Sequence, residues 1–145
     1  MFVMQQSYLL QACNAAVSAI LNVTADPVTC NLFQNNYTPT LTSQLSDFTV
    51  ADYTGYAAVG MADTWGGATW QTQEAAVAYS STAVFAPTGT AVTNTIYGYY
   101  LLDHSGNLLG GERLANPVNL LGPTTILHIV IPFGIADAGI PGVSW

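Results

Sequence analysis

From Val28 onward the chain is written in short runs of Thr, Val, Tyr and Ile, each cut off by glycine, proline or asparagine after a few residues. Strands fit that punctuation better than helices. β-Branched and aromatic side chains suit a pleated surface, and Gly or Pro closes each run. Val28–Phe33 alternates, with Val28, Cys30 and Leu32 on one side. Phe48–Met61 is interrupted at Gly55, and Trp65-Gly66-Gly67 marks a turn. Thr69–Gln71, Ala75–Tyr79 and Thr82–Ala86 are further short strands. The clearest element is a hairpin, Asn94–Leu102 and Leu108–Leu114, joined by the turn residues Asp103-His104-Ser105-Gly106. Strict alternation puts Ile96, Gly98 and Tyr100 on one side, and Tyr97, Tyr99 and Leu101 on the other. Both sides are apolar, which predicts a central strand or an interface. Thr124–Ile131 reads as a core strand.

Before this β-rich stretch lies one helical pattern, over residues 5–22. Leu9, Leu10, Cys13, Ala16, Val17, Ile20 and Leu21 recur at steps of three and four, the spacing of a single face. Asn22 offers a stop and Pro27 forbids continuation. No basic residue precedes the apolar stretch and three glutamines interrupt it, so it is not a signal peptide by pattern. No apolar run reaches the roughly 18 residues of a membrane span. The expected architecture is mainly β: an antiparallel sandwich or jelly roll with one amphipathic N-terminal helix. A single domain spans residues 1–145, with the sandwich over 28–132 and a C-terminal arm over 133–145.

The surface of such a domain must be unusual. Only 6% of the residues are charged, Arg113 is the sole base, and the net charge is -7; soluble domains average about 25% charged residues. Nucleic acid is held largely through Lys and Arg on phosphates, and anionic membranes attract the same side chains. Neither partner is expected. Thr, Ser, Asn, Gln and Tyr have to cover the outside, which suits a chain pressed against other protein copies.

No residue set assembles into a catalytic site. Asp103-His104-Ser105 holds three catalytic residue types, but neighbours in one turn rarely converge on a substrate. A polar hairpin turn is the expected role. His128 lies on the side of Ile126 and Val130 and reads as a hydrogen-bonded core residue, with no partner at metal-ligand spacing. Cys13 and Cys30 read as two buried small hydrophobes, with a bridge between them left open. No cofactor or metal is expected, and no enzyme activity.

Several spaced motifs resemble a family of small virion proteins of tailed bacteriophages. Leu32-Phe33-Gln34-Asn35-Asn36-Tyr37-Thr38-Pro39 matches the pattern LF-x-N-x-x-TP. Asp47-Phe48-Thr49-Val50-Ala51 through Gly55-Tyr56-Ala57 resembles DFTEA-x-x-x-GYA, with Val50 in place of Glu. Tyr97-Gly98-Tyr99 follows, then Leu108-Leu109 ahead of Glu112-Arg113-Leu114. The order holds along nearly the whole chain, departing in the apolar tail after Ile131. The resemblance implies a structural role in the virion, assembled in the host cytoplasm, and no catalytic residues.

Two functions are therefore weighed. The first is capsid decoration or cement, with further copies of the chain and the major capsid protein as partners. The second is a receptor- or glycan-binding module of a tail or fibre. Candidate contact residues are Leu9, Leu10 and Val17 on the helix, Tyr97 and Tyr99 on the hairpin, and Trp145 in the arm. Arg113 is expected in a bidentate salt link that fixes a strand or subunit contact. Trp65, between Asp63-Thr64 and two glycines, is expected on display.

Overall fold

The computed structural model describes residues 6–22, 27–62, 64–72, 75–89 and 94–136. Helix α1 spans Gln6–Ala16 and continues as a wider π-helical turn, Val17–Leu21. Nine strands follow among the described residues. They are β1 (Thr29–Phe33), β2 (Val59–Gly60), β3 (Thr69–Thr72), β4 (Ala75–Tyr79) and β5 (Ala83–Phe85). After them come β6 (Asn94–Leu102), β7 (Leu108–Leu120), β8 (Leu127–Ile129) and β9 (Pro132–Ala136). They form a four-stranded sheet β2-β1-β6-β7, a three-stranded sheet β3-β4-β9 and the pair β5-β8. Every pairing is antiparallel. The fold is mainly β, as the alternation predicts.

One core joins these layers. The inner face of the four-stranded sheet supplies Cys30, Leu32, Ile96, Tyr99 and Leu101. Facing it are Val17 and Leu21 from the helical segment, Ala76 and Ala78 from β4, Phe85 from β5, and Leu127 and Ile129 from β8. Helix α1 lies across β4 and β9. Its buried line is Leu9, Cys13, Val17 and Leu21, one residue per turn. Ile20, which the spacing places on that line, is turned outward. The widened last turn, closed by the Asn22 amide donating to the Val17 carbonyl, rotates it off the buried stripe.

The sheet's outer face carries a second, smaller cluster of Phe33, Phe48 and Tyr100, with Tyr37 and Tyr97 packed against it. The loop after β1 forms its cover. Asn35 clips that loop by accepting from the Thr49 amide at 2.8 Å and donating to the Asp47 carbonyl at 2.8 Å. Phe48 then lies edge-on to Phe33 at 5.2 Å and against Tyr100 at 4.9 Å. Strand β6 is thus central and covered on both faces.

Four expectations are corrected. Tyr97 and Tyr99 do not share a face. The register of β6 against β7 shifts between Ile96↔Val118 and Gly98↔Arg113, so Tyr97 alone stands opposite Leu114–Pro117. This bulge turns Tyr97 to the outer cluster while Tyr99 stays in the core. Strand β7 also runs six residues past Leu114, because Pro117, which cannot donate to a ladder, is absorbed in the bulge. Thr124–Ile131 pairs only over Leu127–Ile129, and its buried side is Leu127, Ile129 and Ile131. His128 faces outward with Ile126 and Val130. Finally, Pro132–Ala136 is no arm: it pairs with β4 along its whole length, from Tyr79↔Pro132 to Ala75↔Ala136. The remainder, 137–145, lies outside the described residues.

Phe33 pairs with Gly98 across β1 and β6. A Cβ on Gly98 would run into the Phe33 ring and the Glu112 carbonyl. Gly98→Ala should therefore cost about 1–3 kcal/mol, the usual scale of overpacking, measured by urea unfolding. Alkali should also destabilise the fold. Burial pushes Cys30 from 9.0 up to about 12 and Tyr56 from 10.0 up to about 12; Tyr53, Tyr99 and Tyr100 move the same way, chiefly through burial. The folded state holds these protons longer than the unfolded one, so their stabilisation is complete below pH 9.0 and is lost progressively as the pH rises towards about 12. The thermal midpoint should fall steadily from about pH 9 to 12, read by circular dichroism.

Candidate assembly interface

The motif segments meet at one place. Gly98 lies opposite Arg113 and Tyr99 opposite Glu112, while Phe33 pairs with Gly98 from the other side. Neighbouring residues of a strand face opposite ways, so Glu112 and Arg113 have separate partners. On the core side the Tyr99 hydroxyl donates to Glu112 Oε2 at 2.5 Å. On the outer side Arg113 lies over the Tyr97 ring, 5.2 Å from its centroid, and donates from Nη1 to the Tyr37 carbonyl at 3.2 Å. Among the described residues no carboxylate pairs with Arg113. The expected salt link is replaced by a cation–π contact and a carbonyl, which tie the loop after β1 to the hairpin.

The hairpin turn is built by Asp103. Its Oδ1 accepts from the Ser105 and Asn107 amides at 2.9 and 2.7 Å, and its Oδ2 accepts from the Asn107 side chain at 2.9 Å. These bonds, led by the Asn107 side chain, hold the Asp103 carboxyl below its usual range. Gly106 takes the left-handed conformation that the turn requires, at φ 81°. Asp103 is committed to the backbone, and the turn has a structural role.

Most of the residues named as contacts are used inside the chain. Leu9, Val17 and Tyr99 are buried in the core, and Leu10 is half-buried against it. Trp65 is 6% exposed rather than displayed. The Asn22 side chain grips its backbone, accepting from the Trp65 amide and donating to its carbonyl, both at 3.0 Å. Its ring meets Phe133 edge-on at 6.4 Å. The flanking glycines suggested a loop tip, but a bridge to Ser80 pulls the segment down. Tyr97 and Arg113 are half-buried. Trp145 lies outside the described residues.

Other apolar side chains reach the surface. Val84, Ile126 and Val130 are 47%, 50% and 50% exposed. Val84 pairs with His128, and Ile126 and Val130 lie two residues either side of it, so all share the outward face of β5-β8. Sequence alternation marks this side but does not say which side is inward, because both are apolar. Leu41, Leu109 and Trp70 are also exposed. The neighbouring surface is hollowed. A cleft of about 420 Å³ beside β7 is lined by Tyr79, Glu112, Arg113, His128 and Val130, among others.

Among the described residues no group of three or more His, Cys, Asp or Glu side chains is placed to hold a metal ion. Cys13 and Cys30 are both free thiols. No described helix is long and apolar enough to cross a membrane. No family model matches the chain, and no curated protein or solved structure matches it.

Arg113→Ala should lower stability by about 1–2 kcal/mol, combining a charge-assisted hydrogen bond with a partly exposed cation–π contact. Arg113→Lys should recover only part of it, since an ammonium lacks the planar guanidinium face. Chemical denaturation of the three proteins checks the order.

Proposed function

We propose that the chain is a structural subunit of a bacteriophage virion that decorates or cements the capsid through protein–protein contacts. Its partners would be further copies of itself and the major capsid protein. The observation that carries the reading is the outward face of β5-β8, where Val84, Ile126 and Val130 stand in water on a chain with one base and no lysine. Apolar side chains grouped on one face favour burial against a partner, and no surrounding cations keep one away. The order of the motifs, which resembles that of small virion proteins, supports the same reading. It assigns no catalytic role.

The cleft beside β7 favours the second reading, a glycan- or receptor-binding module of a tail or fibre. Sugars are held by an exposed aromatic ring beside planar hydrogen-bonding groups, and Tyr79, Glu112, Arg113 and His128 line that cleft. The two readings part in one experiment. Purified particles should carry the chain around the head, visible by electron microscopy with a tagged copy. Val84→Asp with Ile126→Asp should leave the fold intact and reduce occupancy at least tenfold. Particles free of the chain sink the first reading. Specific binding on a glycan array, lost in Tyr79→Ala, supports the second.

A further inference from the structure

Strand β7 is the outer strand of its sheet: β6 takes one of its edges, and no described strand takes the other. From Leu109 to Gly111 this free edge has open space on both faces. On the core side lies a hollow of about 520 Å³ walled by Ile20, Leu101, Ile131 and Phe133. On the outer side lies one of about 480 Å³ walled by Thr40, Leu41 and Ser43. Leu109, Gly110 and Gly111 line both. Leu109 is 42% exposed, and a Cβ on Gly110 would meet nothing within 4 Å. The ladder to β6 carries a one-residue bulge at Leu109, but the edge has a hollow on each face, and that fits strand addition. Main-chain hydrogen bonds hold the incoming segment, and its alternate side chains enter the two hollows.

We propose that this edge receives residues 137–145 from a second copy of the chain. The inference rests on the reading of the chain as an assembly subunit and adds how two copies join. Length allows it. The described chain leaves β9 at Ala136, and the nine residues of 137–145 can span about 30 Å when extended. Composition fits, because after Asp137 the segment Ala138–Trp145 has no charged side chain. Alternation fits too. Val143 and Trp145 share one side of an extended strand and Ser144 takes the other. The core-side hollow is walled mainly by aliphatic and aromatic side chains, and the outer one is more polar, with the Thr40 and Ser43 hydroxyls, which are bonded within their own loop, in its wall. Pro141 cannot donate to a ladder, but the start of an added edge strand tolerates it. Strand β9 starts at the core-side hollow, with Pro132 and Phe133 in its wall, and runs away from it to Ala136 beside Ala75, so the same chain would have to double back to reach this edge. Exchange between copies uses the segment better.

The test compares the full chain with a chain ending at Ala136, by analytical ultracentrifugation. The full chain should self-associate. The shortened chain should be a folded monomer that binds a synthetic peptide of residues 137–145. A Cβ at Gly110 would meet nothing within 4 Å and the hollow beyond it has room, so Gly110→Leu should keep the melting curve and weaken both self-association and peptide binding at least tenfold. Equal association of the two lengths overturns the proposal, and so does unchanged binding in Gly110→Leu. A monomeric full chain whose edge refuses the peptide places the segment on its own molecule and also overturns it. Particle imaging is independent of these results. A chain absent from particles but exchanging its tail sinks the virion reading alone, and a shortened chain that still assembles sinks this one alone.

Discussion

The contact on which most of the structure depends is the Phe33 ring lying over Gly98. Any side chain at that position would displace either the ring or the neighbouring β7 backbone. With the space empty, Phe33 sits flat on the outer face of the sheet, Phe48 and Tyr100 close around it, and the loop after β1 has something to cover. Each such aromatic pair adds about 0.5–1.5 kcal/mol beyond its buried area. The same crowding fixes where the hairpin can be regular. The ladder is regular from Gly98↔Arg113 to Leu101↔Gly110; one irregularity, at Leu109, lies beside the turn, and the other falls just before this stretch, at Tyr97. That displacement brings the Tyr97 ring under Arg113, and Arg113 in turn holds the Tyr37 carbonyl of the covering loop. One missing Cβ thus links the second core cluster, the bulge and the only cation.

A chain with so few charges has to satisfy its polar groups by other means. Side-chain amides and hydroxyls bind backbone where a charged protein would use ion pairs. Asn22 closes the helix and grips Trp65, Asn14 accepts from the Ala68 amide, and Asn35 pins Thr49 and Asp47. The Tyr56 hydroxyl accepts from the Leu32 amide inside the sheet. Uncharged side chains lose less hydration on burial than ions do, so these clips hold loops without a large desolvation cost. The consequence appears outside. Without lysines, exposed apolar side chains such as Val84 and Ile126 have no snorkelling neighbour to cover them.

What the sequence made legible was local. The helix stripe, the strand at β1, the limits of β4 and β6, and the Asp103 turn all follow from period and punctuation within a few residues. What it hid was relational. Leu127, Ile129 and Ile131 read as well as Ile126, His128 and Val130 for the inner side of β8, and only the surrounding layers decide. The bulge at Tyr97 depends on where Pro117 meets the ladder, more than a dozen residues away in sequence. Trp65 has the local texture of an exposed loop, yet Asn22 and Phe133 bury it from distant parts of the chain. Arg113 shows the same limit. Scarcity singled it out correctly, but its partners, a ring and a carbonyl, are types that charge arithmetic does not count.

Edge strands usually carry some defence against pairing with another chain: a lysine, a proline or a bulge. In β7 the defence is uneven. The half after Arg113 has both the bulge opposite Tyr97 and Pro117, which keep a partner strand from lying flush. The half before it, Leu108–Gly111, has a one-residue bulge at Leu109 but no charge, no proline and no side chain at all on two of its four residues. It also has a hollow on either face, where most edges are shielded by a loop or helix. An exposed edge of this kind is an aggregation hazard unless something regularly occupies it. On a stretch that carries no charge of its own, selective occupation by one matching segment would solve that problem. It would account for the open half and the protected half of the same strand.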